Sequence, residues 1–285
     1  MYIGTEFADA TSSFSEARYV VMGVPVDITQ SFRPGSRFAP SRIREASWNL
    51  ESYSLEFELS LSEVPIHDCG DLAVEGSLKN ILSHLSDVIL KWLNEEKFPI
   101  VLGGDHSISI GTTGKLNNAS VLIFDAHFDL RNEFDGTRFS HACVTKRLLD
   151  MMENGKIKEI ILVGVRSGTR EEKALADRTD GITYFTSTRI RKTGCGEVID
   201  LLRSYDRIYI SMDMDALDPS YAPGVSTPEP FGLTPWDVRE ILREIAKRSL
   251  GMDVVEVVPA YDTGVTSVLA ARFVHDIIAM RESEI

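Results

Sequence analysis

Six short runs rich in valine and isoleucine recur along the chain, and each ends abruptly at glycine, serine or an acid: YVVMGVPVD, FPIVLGGDHS, SVLIFDAHFD, EIILVGVRSG, RIYISMDMD and MDVVEVVPAYD. Longer segments with helical spacing lie between them, among them SLKNILSHLSDVILKWLNEE, EVIDLLRSY and TPWDVREILREIAKRS. A strand that is apolar on both of its faces needs cover on both, so the alternation predicts a mostly parallel sheet sandwiched between helices. At 285 residues with 43% hydrophobic content, one domain spanning 1–285 around one large core is expected.

Local signals agree. Thr234 before Pro235 makes an N-cap and first-turn pair, with Asp237 in the same turn, and Pro40 and Ser41 open a helix over SRIREASWNLES. Four prolines and two glycines between Asp218 and Gly232 exclude regular structure there and predict a long ordered loop or lid. His84 and His275 fall on helical patterns, and His67 is expected in a loop.

A net charge of −13 argues against nucleic acid or an anionic membrane as a partner and suits a cationic ligand. Cys69, Cys143 and Cys195 are odd in number, far apart and without CxxC spacing, so free thiols in a reducing cytoplasm are expected. No secretory pattern opens the sequence, and no window approaches the ~20 apolar residues of a spanning helix.

In parallel α/β sheets, ligands bind beyond the carboxyl ends of the strands. Four run ends, GGDHS, DAHFD, SMDMD and VVEVVP, bring His106, Asp125, His127, Asp129, Asp213, Asp215 and Glu256 to one edge. Five acids so close would repel one another and titrate upward unless cations held them. Carboxylates and imidazoles without thiolates favour Mn²⁺ or a similar divalent ion, and six ligands are too many for one catalytic zinc but suit a two-metal site.

GGDHS, DAHFD and SMDMDALDP, in this order, resemble the arginase and agmatinase family, the ureohydrolases. The likeness extends through GVPVD and RPGSRFAPSRIR, FSHACV, GVRS, STPEPFGLT and VVEVVPAYD. It implies an αβα sandwich of about eight strands and two Mn²⁺ per chain. On the matching positions, His106, Asp125, Asp129 and Asp213 would bind one ion, and Asp125, His127, Asp213 and Asp215 the other. It further implies that Asp129 orients the nucleophile, His141 of FSHACV shuttles a proton and Glu256 clamps a guanidinium, in a homotrimer or homohexamer.

Substrate choice is less explicit. Ala142, Cys143 and Val144 after the histidine offer few neutral donors to a carboxylate, and Glu133 and Asp135 would repel one, so agmatine, cleaved to putrescine and urea, is favoured over arginine. Arg131, Arg138 and Arg166 leave room for anionic tails, as in guanidinobutyrate, guanidinopropionate or formiminoglutamate. Outside the class stand a zinc deacetylase-like enzyme, with one metal, and a metal-binding subunit without activity.

Overall fold

The computed structural model describes residues 5–284. Eight parallel strands form one sheet: β1 (Tyr19–Val24), β2 (Ile66–Asp71), β3 (Phe98–Gly103), β4 (Ala119–Phe124), β5 (Ile157–Val165), β6 (Ile182–Thr186), β7 (Ile208–Asp213) and β8 (Ser249–Val255), in the spatial order β2-β1-β3-β8-β7-β4-β5-β6. All six apolar runs are strands of this sheet. The two strands that the runs did not mark, β2 and β6, are its edges. An edge strand is half covered, so it tolerates polar residues such as Asp68 or Thr183 and loses the continuous apolar run. His67 therefore lies in β2, not in a loop.

The sheet is buried on both faces. Leu122, Phe124, Ile210, Met212 and Val254 point into one core, while Val121, Ile123, Ile160, Leu162 and Tyr209 point into the other. Helices Ala39–Ser47, Pro235–Ile245 and Val265–Glu282 supply the first core, and Leu78–Asn94 and Val144–Glu153 the opposite side. The result is a three-layer αβα sandwich. At the start of Pro235–Ile245, Thr234 Oγ1 accepts from the Asp237 amide at 3.2 Å and Asp237 Oδ2 accepts from the Thr234 amide at 2.8 Å, a reciprocal cap of about 1 kcal/mol. Among the described residues no helix is long and apolar enough to cross a membrane.

This topology places the site. β3, β8, β7 and β4 are consecutive in the sheet, so the four polar run ends emerge side by side at its centre. Strands lie ~4.8 Å apart, so side chains from all four can meet within about 15 Å. The Gly-Gly ahead of His106 has a packing reason: a Cβ on Gly104 would sit 1.6 Å from the Val26 carbonyl oxygen. The segment after β1 thus crosses directly over the end of β3, where the Asp105 amide donates to Val26 O at 2.6 Å.

Candidate active site

Each acidic motif folds on itself. Asp125 Oδ1 accepts from the His127 amide at 2.6 Å, and Asp213 Oδ1 accepts from the Asp215 amide at 2.8 Å. One carboxylate oxygen bends the chain and the other is turned to the centre. There His106 Nδ1 lies 3.2 Å from Asp125 Oδ2, 3.1 Å from Asp129 Oδ2 and 3.1 Å from Asp213 Oδ2. Beside this group, His127 Nδ1 is 3.1 Å from Asp215 Oδ2 and 3.4 Å from Asp125 Oδ1. His106, Asp125 and Asp129 form one group whose ligand atoms lie within 4.8 Å of one another, and Asp125, His127 and Asp215 form a second.

The donor set suits a pair of divalent cations on internal grounds. His106 Nε2 lies 3.2 Å from Ser211 Oγ, whose proton goes to Asp253 Oδ1 at 2.7 Å. The serine oxygen therefore accepts from Nε2–H, and Nδ1 turns its lone pair toward three carboxylate oxygens. Nδ1 and Asp125 Oδ2 are both buried without a hydrogen-bond partner. A positive charge has to sit between them, either a proton or a metal ion. Protons left to balance the cluster would have to gather on it: burial and the neighbouring Asp125 push the Asp129 carboxyl up to about 7, and burial, Asp215 and Asp125 raise Asp213 further. Burial favours neutral rings at His106 and His127, but the surrounding aspartates win and raise both.

Asp129 and Glu256 reach the centre from left-handed backbone, with φ of 50° and 65°. Such conformations are uncommon outside glycine and asparagine-like residues, and they persist where surrounding contacts hold them. Glu256 is buried, and among the described residues no base pairs with it. Its Oε1 accepts from the His106 amide at 2.7 Å and its Oε2 from Gln30 Nε2 at 3.1 Å. Burial, with Asp105 nearby, pushes its carboxyl up to about 8, the condition of an acid that awaits a cationic partner.

These residues floor and line a cavity of about 270 Å³. His141 stands on its wall, with Phe134 edge-on at 5.6 Å, and burial lowers its pKa so that the neutral ring prevails. All seven residues from the four strand ends, together with His141, are thus brought together. Arg131, Phe134, Ser167, Thr169, Glu172 and Thr227 are among the other residues of the wall, and the sequence motifs assign none of them a definite role there.

The expected charges near the substrate tail need correction. Glu133 and Asp135 are exposed and do not line the cavity. Arg166 is spent on structure: it donates to the carbonyls of Gly164, Asp215, Ala216, Leu217, Glu229 and Pro230 at 2.7–3.2 Å, pinning the proline-rich loop to the end of β7. Arg138 pairs with Asp150 at 3.3 Å. Arg131 remains at the wall, its guanidinium 4.7 Å from the Phe134 ring and its Nε 3.8 Å from Glu172. Phe128 is buried and meets Tyr184 edge-on at 5.1 Å, away from the reacting centre.

The model of the arginase family matches residues 17–280. The chain belongs to the arginase family. It is a hydrolase of that binuclear, metal-dependent family, and its sequence is of the agmatinase type. The agmatinase of Pyrococcus horikoshii is 36% identical over 275 residues, covering 95% of this chain and 94% of the relative. The N(1)-aminopropylagmatine ureohydrolase of Thermococcus kodakarensis is 37% identical over 248 residues, covering 85% and 83%. The agmatine ureohydrolase of Thermoplasma volcanium superposes with a TM-score of 0.92 at 38% identity, covering 99% of this chain and 96% of that one.

Proposed function

We propose that the protein is a manganese-dependent agmatinase that hydrolyses agmatine to urea and putrescine, a step that yields a polyamine. The observation that carries this reading is the convergence on one cavity of two histidine-carboxylate groups and a buried, cation-seeking Glu256. His106, Asp125, Asp129 and Asp213 would hold one ion, and Asp125, His127, Asp213 and Asp215 the other. When bound, such a pair supplies Lewis acidity that lowers the pKa of a water from 15.7 toward ~7.

The side chains do the rest. Glu256 holds the guanidinium by charge-assisted hydrogen bonds and so presents its carbon toward Asp129. Asp129 accepts a hydrogen bond from the attacking water and orients it. As the C–O bond forms, Asp129 takes one proton from the water and the carbon becomes tetrahedral; that proton passes to the tail nitrogen as its C–N bond breaks, and the neutral His141 takes up the water's second proton and relays it to the departing amine. Guanidinium and water thus become urea and an ammonium.

The cationic tail is supported by what the wall offers an anion. Arg166 and Arg138 are engaged elsewhere, Arg131 sits beside Glu172, and Glu172 itself would repel a carboxylate. The relatives named above act on agmatine or on an aminopropyl derivative of it. Free thiols at Cys69, Cys143 and Cys195 support the cytoplasm as its compartment, and assembly as a homotrimer or homohexamer belongs to the same proposal.

Urea release after Mn²⁺ loading, measured on agmatine, N(1)-aminopropylagmatine, arginine, guanidinobutyrate, guanidinopropionate and formiminoglutamate, tests the reading. Agmatine should exceed arginine and the guanidino acids in kcat/KM by at least about tenfold, the discrimination expected from one uncompensated buried charge. Faster turnover of an anionic-tailed guanidine would overturn the substrate choice. One zinc per chain with amide hydrolysis would replace the class altogether.

A further inference from the structure

We propose that the loop from Asp27 to Ser36 is the positioning element for both residues that handle the substrate's guanidinium: Thr29 holds His141, and Gln30 holds Glu256. The inference rests on the ureohydrolase reading above and assigns these two neighbours separate tasks within it.

Thr29 Oγ1 accepts from the His141 amide at 3.0 Å and lies 3.3 Å from His141 Nδ1, with Ser140 Oγ at 3.3 Å from the same nitrogen. A hydroxyl both donates and accepts, so it serves Nδ1 whether that atom is bare or protonated. The ring can take up and release a proton without losing this partner, and its Nε2 stays aimed at the cavity. Thr29 is itself fixed, because its amide donates to the buried Asp105 at 2.9 Å.

Gln30 has only one arrangement that satisfies its neighbours. Two amides, of Gly35 at 3.0 Å and Ser36 at 3.4 Å, point at one end of its carboxamide, which must be the oxygen. The NH₂ end is thereby directed to Glu256 Oε2 at 3.1 Å. With the His106 amide on Oε1, both oxygens of Glu256 are held against the repulsion of Asp105 and Asp215. The loop is rigid enough for this work: Asp27 accepts from the Gly35 amide at 3.1 Å and pairs with Arg37 at 2.5 Å, and Gly35 takes a φ of 127°.

The two tasks separate kinetically. Glu256 binds the guanidinium in ground and transition states alike, so loosening it acts on KM, whereas His141 acts in proton delivery, so disturbing it acts on kcat. In the Mn²⁺-loaded enzyme, Gln30→Met should raise KM for agmatine about tenfold with kcat within about threefold of wild type. Thr29→Val should lower kcat about tenfold or more at unchanged KM and displace the pH–rate profile, and Thr29→Ser should restore both. Imidazole nitrogen NMR adds a readout independent of turnover: the His141 Nδ1 signal should change in Thr29→Val and return in Thr29→Ser. Parallel losses in kcat and KM from both variants would overturn the inference, as would wild-type kinetics in both. If Thr29→Val fails to fold, Thr29→Ala against Thr29→Ser carries the same comparison. Absence of urea from every guanidine with the wild-type enzyme would instead overturn the underlying reading.

Discussion

Asp129→Asn should lose about 10³-fold in kcat while folding at least as stably as the wild type, in line with the loss of a group that orients and deprotonates a reactant. Asparagine tolerates left-handed backbone as well as aspartate does, so the φ of 50° is preserved and only the charge changes. Burial and Asp125 already push this carboxyl up to about 7, so its ionised form strains the metal-free fold. Removing the charge relieves that strain, yet takes away an oxygen 3.1 Å from His106 Nδ1 that would bind an ion and hold the water. Thermal melts, manganese content and turnover measured together distinguish this from a folding defect. Near-wild-type kcat in a folded, metal-loaded variant would remove Asp129 from the chemistry.

Chelation should abolish activity and make stability fall as pH rises. In the metal-free protein Asp129 and Glu256 keep protons up to about pH 7 and 8, whereas unfolded carboxylates release them near pH 4, so the native state binds more protons in between and stability decreases with pH. Asp213, raised further, acts in the same direction. His106 and His127, also raised, contribute stability below about pH 6.5 that is lost at higher pH. Burial would raise Asp125, but both histidines hold it low, so its opposing contribution falls below about pH 4; burial lowers His141, whose opposing contribution falls below about pH 6.5. Between pH 5 and 8 the chelated protein should lose on the order of 10 °C in Tm, and Mn²⁺ at 100-fold over each Kd should add back about 2.7 kcal/mol per site. A Tm indifferent to both pH and Mn²⁺ would contradict a cluster built around cations.

The architecture was legible wherever burial was complete. β3, β4, β7 and β8 are covered on both faces, so FPIVLG, SVLIF, RIYISM and MDVV read directly as interior strands. β2 and β6 were not, because an edge strand such as IHDCGD does not need that pattern. The clustered acids and histidines were legible for a related reason: Asp125, His127 and Asp129 are chemically out of place at the end of a buried strand, and the structure brings them together at one point. Side chains on loops had no such contrast. Thr29 and Gln30 sit in a segment whose proline and glycine announce a turn without saying which side chains face inward. Glu133 and Asp135 suggested a cationic tail site by composition, yet the bend after Asp129 directs Arg131 and Phe134 to the wall instead. Charge near a motif is visible in sequence, whereas direction depends on backbone dihedrals set by distant contacts.

Agmatine hydrolysis at a two-metal centre is tested by the product balance after Mn²⁺ loading, with urea and putrescine quantified in the same reaction. One urea and one putrescine should appear for each agmatine consumed, with two manganese ions per active chain. Agmatine left intact by a folded, metal-loaded enzyme, or consumed without urea, would contradict it.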